Sequence, residues 1–123
     1  MSRILIVDDE KYVQEKIIRT LSKNGYDVDA ANDGCEALEI LKKESYDLLI
    51  LDIFMPKKGG IETLIELKQK FSNKKVIIIS ARAPDNFDAF NRLIDQFGIY
   101  CVLHKPFAKK VLLDAVNGAL QNN

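Results

Sequence analysis

The chain has 123 residues, of which 47% are hydrophobic and 29% charged, and its 18 basic side chains balance 18 acidic ones. That length fits one domain around one buried core, the hydrophobic share argues against disorder, and the zero net charge lacks the basic excess of a nucleic-acid binder. No stretch has the layout of a signal peptide and no apolar run is long enough to cross a bilayer, so a cytoplasmic protein that engages neither membrane nor nucleic acid is expected.

Ile4-Leu5-Ile6-Val7 is the first of four short apolar runs. It is too short for a helix and free of polar alternation, which predicts a strand of a parallel sheet covered on both faces. Val13, Ile17, Ile18 and Leu21 then recur at helical spacing, and Gly25 supplies a stop. Tyr26-Asp27-Val28-Asp29-Ala30 alternates, as an edge strand with one wet face does. A second helix follows Asn32-Asp33-Gly34, with Ala37, Leu38 and Leu41 on one side. Leu48-Leu49-Ile50-Leu51 predicts the third strand, ended by Asp52, and a third helix runs from about Ile61 to Phe71 after Gly59-Gly60. Val76-Ile77-Ile78-Ile79 predicts the fourth strand, ended by Ser80. The fourth helix opens with a cap at Pro84-Asp85 and carries Phe87, Phe90, Leu93, Ile94 and Phe97. Tyr100-Cys101-Val102-Leu103 predicts the fifth strand, and the last helix opens after Pro106 with Leu112, Ala115, Val116 and Ala119 on one face. Five strand-then-helix repeats predict a single doubly wound α/β domain over residues 1–123. Cys35 and Cys101 show no metal-ligand spacing and are expected as small buried hydrophobes in a reducing compartment.

The chemistry-bearing residues gather at one end of these strands. Asp8 and Asp9 follow the first, Asp52 ends the third, Ser80 ends the fourth and Lys105 follows the fifth. Open parallel sheets bind ligands outside the carboxyl ends of their strands, where the strand order reverses. In the order 2-1-3-4-5 that point lies between strands one and three, so Asp8, Asp9 and Asp52 are expected to converge there. Three carboxylates in one pocket raise each other's proton affinity unless a cation compensates. A hard divalent cation, Mg²⁺, fits this need and leaves coordination sites for phosphate oxygens. Lys105 can pair with Asp52 and then with a phosphoryl oxygen, and the Ser80 hydroxyl can donate to another. Together these groups make a site for in-line phosphoryl transfer onto a carboxylate.

Taken singly, each has an ordinary explanation. Asp8-Asp9 reads as a helix cap, Asp52 as part of an acidic turn before Pro56, Ser80 as a strand end and Lys105 as a loop lysine. All four in order, each at the right end of its strand, favour the site. His104, the only histidine, has no acid or nucleophile signature near it and reads as a strand-end residue. No glycine-rich phosphate loop or zinc-ligand cluster is present.

The motifs Ile4-Leu5-Ile6-Val7-Asp8-Asp9-Glu10, Ala31-Asn32-Asp33-Gly34, Leu51-Asp52-Ile53-Phe54-Met55-Pro56, Gly59-Gly60, Ile79-Ser80-Ala81 and Lys105-Pro106-Phe107 span nearly the whole chain. In this order the sequence resembles the response-regulator receiver domain of two-component signalling. The resemblance implies a flavodoxin-like (βα)5 fold with sheet order 2-1-3-4-5. It implies that Asp52 is the phosphoacceptor, that Asp8, Asp9, Asp52 and the Phe54 backbone carbonyl bind Mg²⁺, and that Ser80 and Lys105 are the switch hydroxyl and the active-site lysine. It also implies a cis bond before Pro106. The phosphodonor would be a sensor histidine kinase or a histidine phosphotransfer protein, met by the first helix at a flank including Lys11, Gln14 and Glu15. The domain would catalyse only its own phosphorylation and slow self-dephosphorylation. Its output would leave through the face of the fourth helix, the fifth strand and the fifth helix, toward a second copy or a downstream protein. Both a stand-alone regulator and a receiver within a longer regulator or hybrid kinase fit.

Three positions depart from the family pattern. Val102 stands three before the lysine, where an aromatic is usual; Phe54 is bulky and apolar where many relatives carry something smaller or polar; and the stretch from Ser80 to Lys105 is a few residues longer than usual. A dehalogenase-like phosphatase also uses an aspartate nucleophile and Mg²⁺, but it carries a second aspartate two residues on, where this chain has Phe54. A receiver-like module that is never phosphorylated tends to lose one of the acidic groups, and here all are present.

Overall fold

In the computed structural model, which describes residues 2–55, 60–71, 75–81 and 87–121, the apolar runs become strands β1 (Arg3–Val7), β3 (Leu48–Asp52), β4 (Lys75–Ser80) and β5 (Cys101–His104). The alternating run becomes β2 (Asp27–Ala31), and the strands pair in parallel in the order β2-β1-β3-β4-β5. Between them lie α1 (Lys11–Ser22), α2 (Gly34–Lys43), α3 (Gly60–Lys70) and α4 (Phe87–Phe97), and α5 (Lys109–Gln121) follows β5. This is the doubly wound fold expected from the sequence.

Parity along each strand sorts the apolar runs onto two faces. Ile4 and Ile6 of β1, Leu48 and Ile50 of β3 and Ile77 and Ile79 of β4 pack with α1 and α5 through Ile17, Leu21, Leu112 and Val116. Leu5, Val7, Leu49, Leu51, Val76 and Ile78 pack on the opposite face with Ala37 and Leu41 of α2 and Leu64 and Leu67 of α3. Burying each such side chain is worth about 1.5–3 kcal/mol, and it is why these runs carry no polar alternation. Edge strand β2 is exposed at Asp27 and buried only at Ala31.

Local chemistry sets the helix starts. At α2 the Asp33 carboxylate accepts from the Glu36 amide at 2.9 Å, while Glu36 accepts from the Asn32 side chain at 3.1 Å. The first of these bonds satisfies an amide that the first turn would otherwise leave bare. At α1 the capping position is Glu10, whose side chain makes no capping bond. Gly60 opens α3 hard against the chain that follows β3. A Cβ there would lie 2.2 Å from the Ile53 Cα and 2.5 Å from the Asp52 carbonyl oxygen, so only glycine fits.

Some expectations shift. Strands β2 and β5 each begin one residue later than predicted, which brings His104 into β5 as its exposed last residue. Cys35 is exposed rather than buried, because the inward face of α2 is taken by Gly34, Ala37, Leu38 and Leu41; Cys101 is half-buried. The cap at Pro84-Asp85 and the side chains of Phe87, Phe90 and Leu93 lie outside the described residues. Ile94 and Phe97 of α4 are partly buried against the α2–α3 face. No helix among the described residues is long and apolar enough to cross a membrane.

Candidate functional site

The strand order reverses between β1 and β3, and two carboxylates stand at that point. Asp8, directly after β1, is 0% exposed, and Asp52, the last residue of β3, is 2% exposed. Each is held the same way. Asp8 Oδ1 accepts from the Glu10 amide at 2.9 Å, and Asp52 Oδ1 accepts from the Phe54 amide at 2.9 Å. The second oxygens of both turn to Lys105, whose Nζ lies 2.7 Å from Asp8 Oδ2 and 3.1 Å from Asp52 Oδ2. Glu10 Oε1 reaches the same ammonium at 3.3 Å.

Burial pushes both aspartates upward from ordinary carboxylate behaviour, the first through strong desolvation opposed by Lys105, the second through desolvation together with the neighbouring Asp8 charge. Burial acts to lower the Lys105 pKa, but its pairing with Asp8 and Asp52 outweighs it, and the net shift is upward. Lys105 is thus a fixed cation between two buried anions. At Asp8 Oδ2 the contact is an ion pair without hydrogen-bond geometry, and that buried oxygen receives no hydrogen bond.

Further ties fix the lysine. Its amide donates to the Ser80 carbonyl at 2.7 Å, joining the carboxyl ends of β4 and β5. The Lys105–Pro106 peptide is cis, as expected. Ser80 is buried at the end of β4, level with His104 across the strand pair.

Of the three carboxylates expected to converge, Asp8 and Asp52 meet, with Lys105 between them and Ser80 at the neighbouring strand end. Asp9 is exposed, and Glu10 completes the acidic group: one carboxylate oxygen each from Asp8, Glu10 and Asp52 lie within 4.8 Å of one another. Phe54 is half-buried against the α2–α3 face and contributes its amide to Asp52. These hard oxygen donors around a site that already attracts an ammonium fit a divalent cation of the Mg²⁺ type.

Gln14 corrects the expected exposed flank of α1. It is 4% exposed, and its side-chain amide donates to the Asp8 carbonyl, the Ala31 carbonyl at 3.3 Å and Asn32 Oδ1 at 3.0 Å. It braces the turn that carries Asp8, and its spacing with Ile17 and Leu21 on the inward face of α1 was the available signal. Beside Lys105 a cavity of about 370 Å³ opens between α1 and the Pro106–Phe107 turn, bordered by Tyr12, Val13, Lys16 and Phe107.

Fold and site together define a doubly wound α/β domain with an acidic, cation-holding pocket at its switch point. The family model described as the response regulator receiver domain matches residues 4–117, and the chain belongs to that family. Its role is that of a receiver in two-component phosphorelay signalling. The transcriptional regulatory protein CpxR homolog of Haemophilus influenzae is 39% identical over 124 residues, covering 100% of this chain and 52% of the relative. Response regulator MprA of Mycobacterium leprae is 38% identical over 121 residues, covering 97% of this chain and 51% of the relative. The chain thus spans about half the length of these curated relatives. Among solved structures, a CheY-like receiver domain protein from Methanospirillum hungatei superposes with TM-score 0.90 at 26% identity, covering 98% of this chain and 94% of that one. Response regulator TrrA from Thermotoga maritima, solved in complex with Mg²⁺-BeF, gives TM-score 0.84 at 32% identity and covers 98% of this chain and 100% of that one.

Proposed function

We propose that Asp52 is the phosphoacceptor and that a histidine kinase or histidine phosphotransfer protein supplies the phosphoryl group. The observation that carries this reading is the Lys105 ammonium held 3.1 Å from Asp52 Oδ2 and 2.7 Å from Asp8 Oδ2. In the transfer, an Asp52 carboxylate oxygen attacks phosphorus as the bond to the donor's imidazole nitrogen breaks, and the nitrogen keeps that electron pair. Asp52 attacks as the carboxylate, the form that the Lys105 ammonium 3.1 Å away favours. Lys105 loses part of its hold on the carboxylate and pairs with a phosphoryl oxygen, and Ser80 donates to another. Mg²⁺ bound by Asp8, Asp9, Asp52 and the Phe54 carbonyl would supply further neutralisation of phosphoryl charge. The domain then catalyses only its own phosphorylation and slow self-dephosphorylation, and acts otherwise as a switch.

The donor docks, in this reading, on α1 and the Pro106–Phe107 turn, where Tyr12 is 77% exposed and the cavity beside Lys105 admits an apolar side chain. The signal leaves through α4, β5 and α5 toward a second copy or a downstream protein. The relatives named as regulators are about twice as long, and any nucleic-acid contact belongs to such additional parts rather than to this charge-balanced domain. Unpaired Cys35 and Cys101 agree with a cytoplasmic, reducing setting.

Beryllofluoride, a mimic of the bound phosphoryl group, provides the test. With Mg²⁺ present, amide signals around Asp8, Asp52, Ser80 and Lys105 should shift in the wild type and stay unmoved in Asp52→Asn. Identical responses in the two proteins refute the assignment.

A further inference from the structure

We propose that Glu10 adds a further carboxylate to the cation site, beyond the Asp8, Asp9 and Asp52 set, and is the positioning residue for Lys105, deepening the reading above while depending on it only for the presence of a cation. Glu10 occupies the capping position of α1 with extended backbone, yet its side chain makes no capping bond. Glutamate is not a favoured capping residue, so the side chain is not tied to the helix start. Here it turns to the pocket, with Oε1 3.3 Å from Lys105 Nζ.

Two further observations point to a cation. Oxygens of Asp8, Glu10 and Asp52 cluster within 4.8 Å, from three different points of the β1–α1 turn and β3. Asp8 Oδ2, with its residue 0% exposed, is an acceptor that no hydrogen bond satisfies. Lys105 is its close cation, and in poor geometry, so the pocket holds a buried acceptor that its own lysine serves incompletely.

Glu10 reaches in from the rim, its side chain 59% exposed, while Asp8 and Asp52 sit beneath it. An ammonium and a divalent cation repel, so the lysine must give up Asp8 when the cation arrives. Glu10 offers it an anchor at the rim that keeps it within reach of Asp52. The same carboxylate adds negative charge to attract the cation. Both effects have one sign: loss of Glu10 weakens cation binding.

The test uses the purified chain, Mg²⁺ alone and no phosphodonor. Titrations followed by amide shifts and by calorimetry give the dissociation constant, and side-chain nitrogen NMR follows Lys105 Nζ. Glu10→Gln should weaken Mg²⁺ binding roughly three- to tenfold, the scale of one partly screened charge near a dication. It should also move the metal-free Lys105 Nζ signal. Glu10→Asp should recover part of the affinity, and Asp114→Asn, which removes an exposed charge on α5, should stay within about twofold of wild type. Unchanged affinity in Glu10→Gln, an equal loss in Asp114→Asn, or no Mg²⁺ binding by the wild type each overturns the proposal. Because no phosphoryl group is involved, failure of Asp52 to accept one leaves this result readable.

Discussion

Replacing Lys105 with methionine keeps the side-chain length and removes the ammonium that touches both buried aspartates. Lys105 lies 2.7 Å from Asp8 Oδ2 and 3.1 Å from Asp52 Oδ2, and its side chain is only 11% exposed. Breaking a buried pair by removing one member costs about 3–5 kcal/mol, because the remaining charge is left uncompensated. Domains of this size have roughly 5–15 kcal/mol in total, so the loss is large. It depends on pH in a defined direction. Asp8 and Asp52 are raised by burial first, so each carboxylate favours the folded state when protonated and penalises it as pH rises through its folded value. The penalty starts above the unfolded aspartate value of about 3.9 and grows upward from there. Lys105 itself is raised, so its own deprotonation does not limit its stabilisation below its unfolded value of about 10.4, and that stabilisation falls only where Asp8 and Asp52 take up protons toward acid. Chemical denaturation of Lys105→Met in chelator should therefore show a loss of about 3 kcal/mol or more at pH 8 and a smaller loss at pH 5. Millimolar Mg²⁺ should recover part of the loss at pH 8. A variant as stable as wild type at pH 8 without metal would refute the view that Lys105 is the counter-charge of this pocket.

Gly60→Ala should destabilise the domain by about 2 kcal/mol or more, since the new Cβ meets the Ile53 Cα and Asp52 carbonyl, backbone atoms that cannot swing aside. A thermal melt unchanged from wild type would contradict that close approach. Val102, like Ile94 and Phe97, is partly buried against the α2–α3 core, and a β-branched side chain of its size has few rotamers to switch between. Val102→Ala should therefore leave the amide response to beryllofluoride over β4 and α4 largely intact, and its loss in a folded variant would make β5 the conduit.

The fold was legible because β1, β3, β4 and most of β5 are apolar on both parities, as strands of a sheet covered on both faces are. The meeting of Asp8, Asp52, Ser80 and Lys105 at one end of the sheet was legible because topology alone brings the carboxyl ends of neighbouring strands together. Glu10 was harder: a residue at a helix start reads as a cap, and whether its long side chain turns into the pocket depends on backbone angles that hydropathy does not encode. Gln14 was read as an exposed flank because it is polar. It is buried because three acceptors, two of them backbone carbonyls, satisfy its amide, and only its helical spacing with Ile17 and Leu21 marks it as inward-facing. Cys35 followed the general tendency of free cysteine to be buried, whereas its place on the outer side of α2 decides its exposure.

Intact-mass spectrometry of the chain incubated with acetyl phosphate tests Asp52 as acceptor most directly. With Mg²⁺ the wild type should gain the mass of one phosphoryl group, chelator should abolish the gain, and peptide mapping should place it on Asp52. Asp52→Asn should gain nothing under the same conditions. Equal modification of both proteins, or modification of the wild type undiminished by chelator, would contradict a Mg²⁺-dependent transfer onto Asp52.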